Sequence, residues 1–182
     1  MKITLDAHLS DAQIKKILEN ITIIVDSREK KNEHIIDYFL EHGINWEKKA
    51  LSCGDYSVIL NIDIEGFPKE VDLRNEVVVE RKNSLEELSS NFTSGRTNFE
   101  NEFSLGFDKG TQMFLLIENE ESIFNNIKNN KYNSSYNSNS FMASLITFMH
   151  RYKINILNSS KELTGELIYK TLYYYTREIL KE

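Results

Sequence analysis

The sequence predicts an α/β sandwich around a mostly parallel or mixed sheet. Short runs of branched and apolar residues, ITIIV at 21–25, VVV at 77–79 and MFLLI at 113–117, have the length of buried strands. Segments with apolar residues at helical spacing separate these runs, the alternation that builds a sheet covered by helices. At 182 residues with 40% hydrophobic and 27% charged residues, the chain is domain-sized and can supply a core. No repeat of fixed period is evident.

Taken in order, Ser10 and Gln13 have the spacing of a capping box ahead of DAQIKKILE, where Ile14, Ile17 and Leu18 share a face. Residues 1–20 read as an N-terminal helical extension and 21–182 as the main domain. ITIIVDSRE is a strand over 21–25 that delivers Asp26, Arg28 and Glu29 at its end. NEHIIDYFLEHG is a helix stopped by Gly43, with Ile35, Ile36, Phe39 and Leu40 as its apolar side. WEKKALSCGDYSVILNI holds a turn at Gly54 and a strand from about Tyr56 to Ile62. Positions 63–75 are charged and turn-forming, and EVVVERK returns as a strand that can pair antiparallel with the previous one.

A helix starting near Ser84 turns Leu85 and Leu88 inward, and QMFLLIE is another buried strand. NNIKNNKYNSSYNSNS, at 125–140, buries little and reads as an extended loop, or a short helix and a loop. SFMASLITFMHRY is a buried helix and KINILN a strand. KELTGELIYKTLYYYTREIL is a terminal helix despite the helical cost of Gly165, with Leu163, Leu167, Leu172 and Ile179 inward. Its three consecutive tyrosines, 173–175, cannot share one face, so part of their surface is left for solvent or for a second subunit in a homodimer through this C-terminal region.

Composition narrows the function. Asp and Glu total 28 against 22 Lys and Arg, a formal charge of -6, which gives no global basic footprint and lowers the case for a passive DNA coat. The single cysteine, Cys53, excludes an intramolecular disulfide and a thiolate zinc cluster. The four histidines, His150 among them, have no zinc-ligand spacing. Neither a signal-peptide core nor a run of about 18 apolar residues is present. The expectation is a soluble cytoplasmic or otherwise intracellular protein with no membrane partner.

Three polar groups follow apolar stretches: DSRE at 26–29, GDY at 54–56 and ERK at 80–82. Alternation along a strand puts Glu80 and Lys82 on one side and Arg81 on the other. If the strand ends converge, Asp26 or Glu29, Asp55 and Glu80 can surround a hard divalent cation with oxygen ligands. Phosphodiester hydrolysis needs a positioned water, charge stabilisation at the phosphoryl oxygens and help for the leaving oxygen. Lys82 can orient that water or stabilise the charge. Arg28 and Arg81 offer forked contacts to phosphate or to neighbouring carboxylates. Arg96, in TSGRTNFE, is either a phosphate contact or part of an ordinary surface loop. Each group alone is an ordinary strand end, ion pair or turn. Spacing leaves three readings open: a metal-dependent nuclease, a noncatalytic α/β binding module, or another metal or phosphate enzyme.

IIVDSRE, CGDYSV and VVVERKNSLEEL, in that order, resemble the nuclease domain of the XPF/Mus81 family, also called the ERCC4 domain, over roughly residues 21–180. The resemblance implies a restriction-endonuclease-like three-layer sandwich with a central mixed sheet. It also implies a DNA endonuclease using Mg2+ or Mn2+ on branched DNA such as flaps and forks, with repair or recombination roles and a dimeric nuclease domain. The family pattern GDx(n)ERKxxxD falls on Gly54, Asp55, Glu80, Arg81 and Lys82, with Glu86 in place of the last aspartate; Asp26, Arg28 and Glu29 match its upstream D-x-R-E group. Carried over, Asp26, Asp55 and Glu80 are metal-side carboxylates, Lys82 is the catalytic lysine and Glu29 contributes through water or metal. The sequence holds no tandem helix-hairpin-helix module, which many relatives use to grip duplex DNA, and no helicase P-loop. A catalytically inactive DNA-binding or partner-binding scaffold of the same fold is the alternative.

Overall fold

The structure is a computed structural model and describes residues 9–65 and 67–181. Residues 1–8 of the expected N-terminal extension lie outside the described residues. The rest of it forms α1, Asp11–Leu18, closed by the expected capping box: Ser10 Oγ accepts the Gln13 N–H at 3.3 Å, and Gln13 Oε1 accepts the Ser10 N–H at 2.9 Å. Ile14, Ile17 and Leu18 enter the same apolar cluster as the first strand, so α1 is packed into the domain it precedes.

Seven strands make one mixed sheet: β1 (Ile21–Asp26), β2 (Asn45–Lys49), β3 (Tyr56–Asn61), β4 (Glu70–Asp72), β5 (Val77–Lys82), β6 (Gln112–Glu118) and β7 (Asn155–Ser159). Their order is β2-β1-β3-β5-β6-β7, with β4 beside β3. β1 is parallel to β2 and antiparallel to β3; β5 is antiparallel to β3 and parallel to β6, which is parallel to β7. β5 is therefore central, and its carboxyl end lies beside those of β1 and β6 once the GD turn before β3 has brought Asp55 across.

Helices cover both faces. On one side, α1, α2 (Glu33–Glu41) and α7 (Thr164–Ile179) pack Ile35, Phe39, Ile168 and Leu172 against Val77 and Val79. On the other, α3 (Leu85–Phe92), α4 (Arg96–Lys109), α5 (Ile123–Lys128) and α6 (Ser138–Tyr152) pack Phe99, Phe103 and Phe148 near Val78. The three valines thus anchor β5 to both layers by simple alternation. This is the expected three-layer α/β sandwich with a mixed sheet.

Several local expectations change. β2 and β4 were not anticipated, since NWEKK and EVD carry almost no apolar signal. The segment around Arg96, expected as a loop or a direct DNA contact, opens the 14-residue helix α4. Leu40 and Leu163, expected inward, are 65% and 46% exposed. Over 125–140 the short-helix alternative holds, as α5 followed by a loop. Gly165 is explained by packing: a Cβ there would lie 2.7 Å from Tyr38 Cβ, so the glycine lets α7 close on α2. Among the described residues, no helix is long and apolar enough to cross a membrane.

Candidate active site

The site begins with the turn that carries Asp55. Gly54 has φ +72°, and a Cβ on it would lie 2.7 Å from Val78 Cβ, so glycine meets both the left-handed conformation and the close approach to β5. Asp55 is then held on two sides. Its N–H donates to Val79 O at 2.9 Å, and its carbonyl accepts the Asp26 N–H at 2.7 Å. The Arg81 N–H donates to Asp55 Oδ2 at 2.8 Å, so the main chain of β5 aims the carboxylate.

Glu80 and Lys82 leave β5 on the α3–α4 side, as alternation requires. Lys82 Nζ donates to Glu80 Oε1 at 2.5 Å and lies 5.3 Å from the centroid of the Phe99 ring. Glu80 Oε2 is buried with no hydrogen-bond partner among the described residues. Buried acceptors are normally satisfied, so this oxygen marks a position built for something else. Burial drives the Glu80 carboxyl up to about 7 against the pull of Lys82, with a further push from Glu102. Burial, then the charges of Glu80 and Glu29, also push Asp55 well above the usual carboxylate range. Burial works against the Lys82 ammonium, yet Glu80 and Asp55 outweigh it and raise its pKa.

Arg81 points to the α2 side and, of its two expected partners, phosphate or neighbouring carboxylates, meets the carboxylates, among which it is buried. Its Nε donates to Glu118 Oε1 and its Nη1 to Glu29 Oε1, both at 2.8 Å, and Nη2 donates to Lys31 O at 3.3 Å. Tyr56 OH donates to Glu29 Oε1 at 3.2 Å, and His34 Nε2 lies 2.8 Å from Glu118 Oε1. Burial pushes Glu118 up, but the hydrogen bonds from Arg81 and His34 outweigh it and leave its pKa lowered. Glu29 therefore faces the Arg81 network, although its charge reaches Asp55.

Asp26, expected beside a metal, accepts four hydrogen bonds: from Arg28 N–H at 2.7 Å, Arg28 Nε at 2.8 Å, Arg28 Nη2 at 3.1 Å and Leu51 N–H at 2.7 Å. Against the cost of burial, these bonds lower its pKa. The Arg28 side chain is 70% exposed beyond this contact and can meet a phosphate. Arg96 is partly exposed and pairs with Glu100 at 3.0 Å while its Nη1 reaches Ser144 Oγ at 3.3 Å. Glu86 turns away from Lys82 and accepts the Asn133 N–H at 2.7 Å; the neighbouring Glu87 is the one that approaches Lys82, at 3.9 Å.

Two carboxylates escaped the reading of the sequence. Glu118 ends β6 just as Glu80 lies near the end of β5, and a carboxylate closing an apolar run was the available signal. Glu102 sits on α4, where a helix had not been anticipated. Its Oε1 accepts the Gly54 N–H at 3.0 Å.

Among the described residues, no three His, Cys, Asp or Glu side chains gather into a group that could hold a metal ion. Asp55 and Glu80 nevertheless fit a hard cation. Both are oxygen donors whose ionised form lacks enough compensation, and Glu80 Oε2 has no partner. Mg2+ is commonly held by one or two carboxylates, with waters and substrate phosphate completing its shell. Asp26 has no such spare capacity.

The family model described as the ERCC4 domain matches residues 25–171. The fold is similar to the solved structure of XPF from Aeropyrum pernix, with a TM-score of 0.60 and 19% identity, covering 87% of this chain and 66% of that one. It is likewise similar to XPF from Aeropyrum pernix in complex with DNA, with a TM-score of 0.59 and 18% identity over 86% of this chain and 65% of that one. This chain thus spans just under two thirds of the length of those structures. No curated protein matches it. With its GD turn and ERK strand end inside a match that runs from residue 25 to residue 171, the chain belongs to the ERCC4 domain family.

Proposed function

We propose that this chain is a divalent-metal-dependent DNA endonuclease that hydrolyses phosphodiester bonds at branched, flap or fork DNA. The observation that carries the reading is the buried Glu80, with one oxygen on Lys82 and the other without a partner, beside an Asp55 aimed by the same strand. Asp55 and Glu80 would hold the ion, which when bound supplies an activated water and polarises the phosphate. Lys82 stays charged beside its carboxylates and stabilises the negative charge that develops on the phosphoryl oxygens. Phe99 and the strand core keep its ammonium from wandering. Arg28 anchors the DNA backbone from the rim, and Arg96 does so from the start of α4. Asp26 and Glu29 serve the site by holding the loop after β1, through Leu51 and Arg81. The similarity to a solved structure in complex with DNA supports DNA as the partner class. A homodimer through the C-terminal region would cover the exposed Tyr174 of α7.

The second reading, an inactive scaffold of the same fold, is favoured by the engagement of Asp26 and Glu86 elsewhere. One experiment separates the two. Labelled linear, nicked, flap and fork DNAs are incubated with Mg2+ or Mn2+ and the parent, Asp55→Asn, Glu80→Gln or Lys82→Ala proteins. The nuclease reading expects ion-dependent cleavage by the parent and its loss in all three variants. Equal cleavage by parent and variants sinks the site. Salt-sensitive binding without product in either ion establishes the scaffold.

A further inference from the structure

We infer that Glu102 is a positioning residue of this site: from α4 it fixes the turn that aims Asp55, by accepting the Gly54 N–H. The inference rests on the reading of Asp55 and Glu80 as the working carboxylates. Asp55 itself is tied to β5 and β1 through its own backbone, and to Arg81 through its carboxylate. Gly54, one residue earlier, bends with positive φ over Val78 and has no side chain with which to brace the turn. Its N–H is instead taken, at 3.0 Å, by a carboxylate 48 residues away.

The support is rigid at its other end. α4 buries Phe99 and Phe103 in the core on this side of the sheet. Phe99, one helical turn before Glu102, carries Lys82 over its ring. A single helix therefore braces the lysine through an aromatic face and the aspartate turn through a carboxylate. The bond to Gly54 puts the Glu102 carboxylate one residue from Asp55 in the chain. Supporting shells of this kind hold a ligand's direction, and their loss usually weakens metal binding about 10–100-fold.

The test compares the parent with Glu102→Gln, which keeps an oxygen acceptor of the same reach, and Glu102→Ala, which removes it. Three quantities are read: hydrogen exchange of the Gly54 amide in metal-free protein by NMR, Mn2+ affinity by calorimetry, and kcat and KM on cleaved DNA. For Glu102→Ala, Gly54 exchange should speed up about tenfold. Mn2+ affinity and kcat should each fall at least about tenfold, with KM for DNA unchanged. Glu102→Gln should restore each quantity to within about threefold of the parent, as expected when the acceptor and not its charge is what matters. Unchanged exchange and affinity in Glu102→Ala would overturn the inference, as would a lowered Tm alone. A Glu102→Gln protein as impaired as Glu102→Ala would overturn it too, by making the charge the working feature. If the parent cuts no DNA, the endonuclease reading fails while the exchange and Mn2+ measurements still decide the role of Glu102.

Discussion

On the α2 side of β5, Arg81 is surrounded by Glu118, Glu29 and the Lys31 carbonyl, which accept from its Nε, Nη1 and Nη2 in turn. On the α3–α4 side of the same strand, one residue earlier, Glu80 leaves Oε2 buried and unmet. Both faces bury charge in about the same degree, so burial alone does not distinguish them. What differs is completion. The Arg81 face closes its ionic network within the chain, and the Glu80 face leaves one carboxylate oxygen without a partner among the described residues. In one six-residue strand, the satisfied face holds the strand ends together and the unsatisfied face is available for chemistry.

The sharpest way to break this contrast is to remove Arg81. Arg81→Ala strands Glu29 and Glu118 in a buried setting, and breaking a buried pair costs roughly 3–5 kcal/mol. Urea denaturation should show that loss as a lower midpoint at unchanged slope. A midpoint near that of the parent would mean the network is not structural. Lys82→Ala should behave in the opposite way. Glu80, already near neutrality in its proton affinity, takes up a proton once its partner is gone, so stability falls less than in Arg81→Ala. Cleavage should instead drop about 10²–10³-fold, on the order of 3–4 kcal/mol, as when one preorganised donor is lost. Parallel losses of stability in the two variants would erase the distinction between the faces.

The faces should also titrate with opposite signs. Glu80 has its folded pKa raised from 4.5 to about 7. The folded state therefore holds more protons than the unfolded state between those values, and the associated stability is full below pH 4.5 and lost as pH rises to 7. Asp55, also raised, adds to the same trend. Glu118 is lowered, so its contribution is present above its unfolded value and disappears as pH falls through the folded one. Metal-free protein should lose on the order of 2 kcal/mol from pH 5 to pH 8. Glu80→Gln should flatten that decline, and Mn2+ should raise Tm more at pH 8 than at pH 6, because protons and the ion compete for the same oxygens. A Tm gain from Mn2+ independent of pH would place the ion away from Glu80.

How much of this was legible in the sequence follows from where each signal resides. β1, β5 and β6 are covered on both faces, so their residues are branched and apolar in continuous runs, and period-2 alternation by itself separates Glu80 and Lys82 from Arg81. β2 was not legible because NWEKK lies at the sheet margin and is a strand through its backbone pairing with β1, from Thr22↔Asn45 to Asp26↔Lys49. α4 was missed because its buried contribution reduces to Phe99, Phe103 and Gly106 within a polar sequence. With α4 went Glu102. The partners of Arg81 were not legible for another reason: Glu118 is 37 residues away, and nothing local in ERK distinguishes a guanidinium that meets phosphate from one that meets a carboxylate. Sequence spacing assigns a residue to a face, and tertiary pairing decides whether that face is already satisfied.

The gentlest probe of the contrast is Glu86, the acid that stands at the last position of the ERKxxxD pattern. It lies on α3, just beyond the cap formed by the Glu87 N–H and Ser84 Oγ at 3.2 Å. Its own carboxylate accepts the Asn133 N–H, and that bond lowers its pKa. If the outward orientation is its working one, Glu86 ties the asparagine-rich loop to α3 and takes no part in cleavage. Glu86→Gln, which keeps the acceptor, should then change stability by less than about 0.5 kcal/mol, and Glu86→Ala should cost about 1 kcal/mol, the usual worth of a partly exposed hydrogen bond. Cleavage by both should stay within about twofold of the parent, an energy of under about 0.5 kcal/mol in the barrier. A hundredfold loss in Glu86→Gln would show that the carboxylate swings from Asn133 toward Lys82 when DNA is bound. The unsatisfied face of β5 would then extend onto α3, and the boundary between the structural and chemical carboxylates would have to be redrawn there.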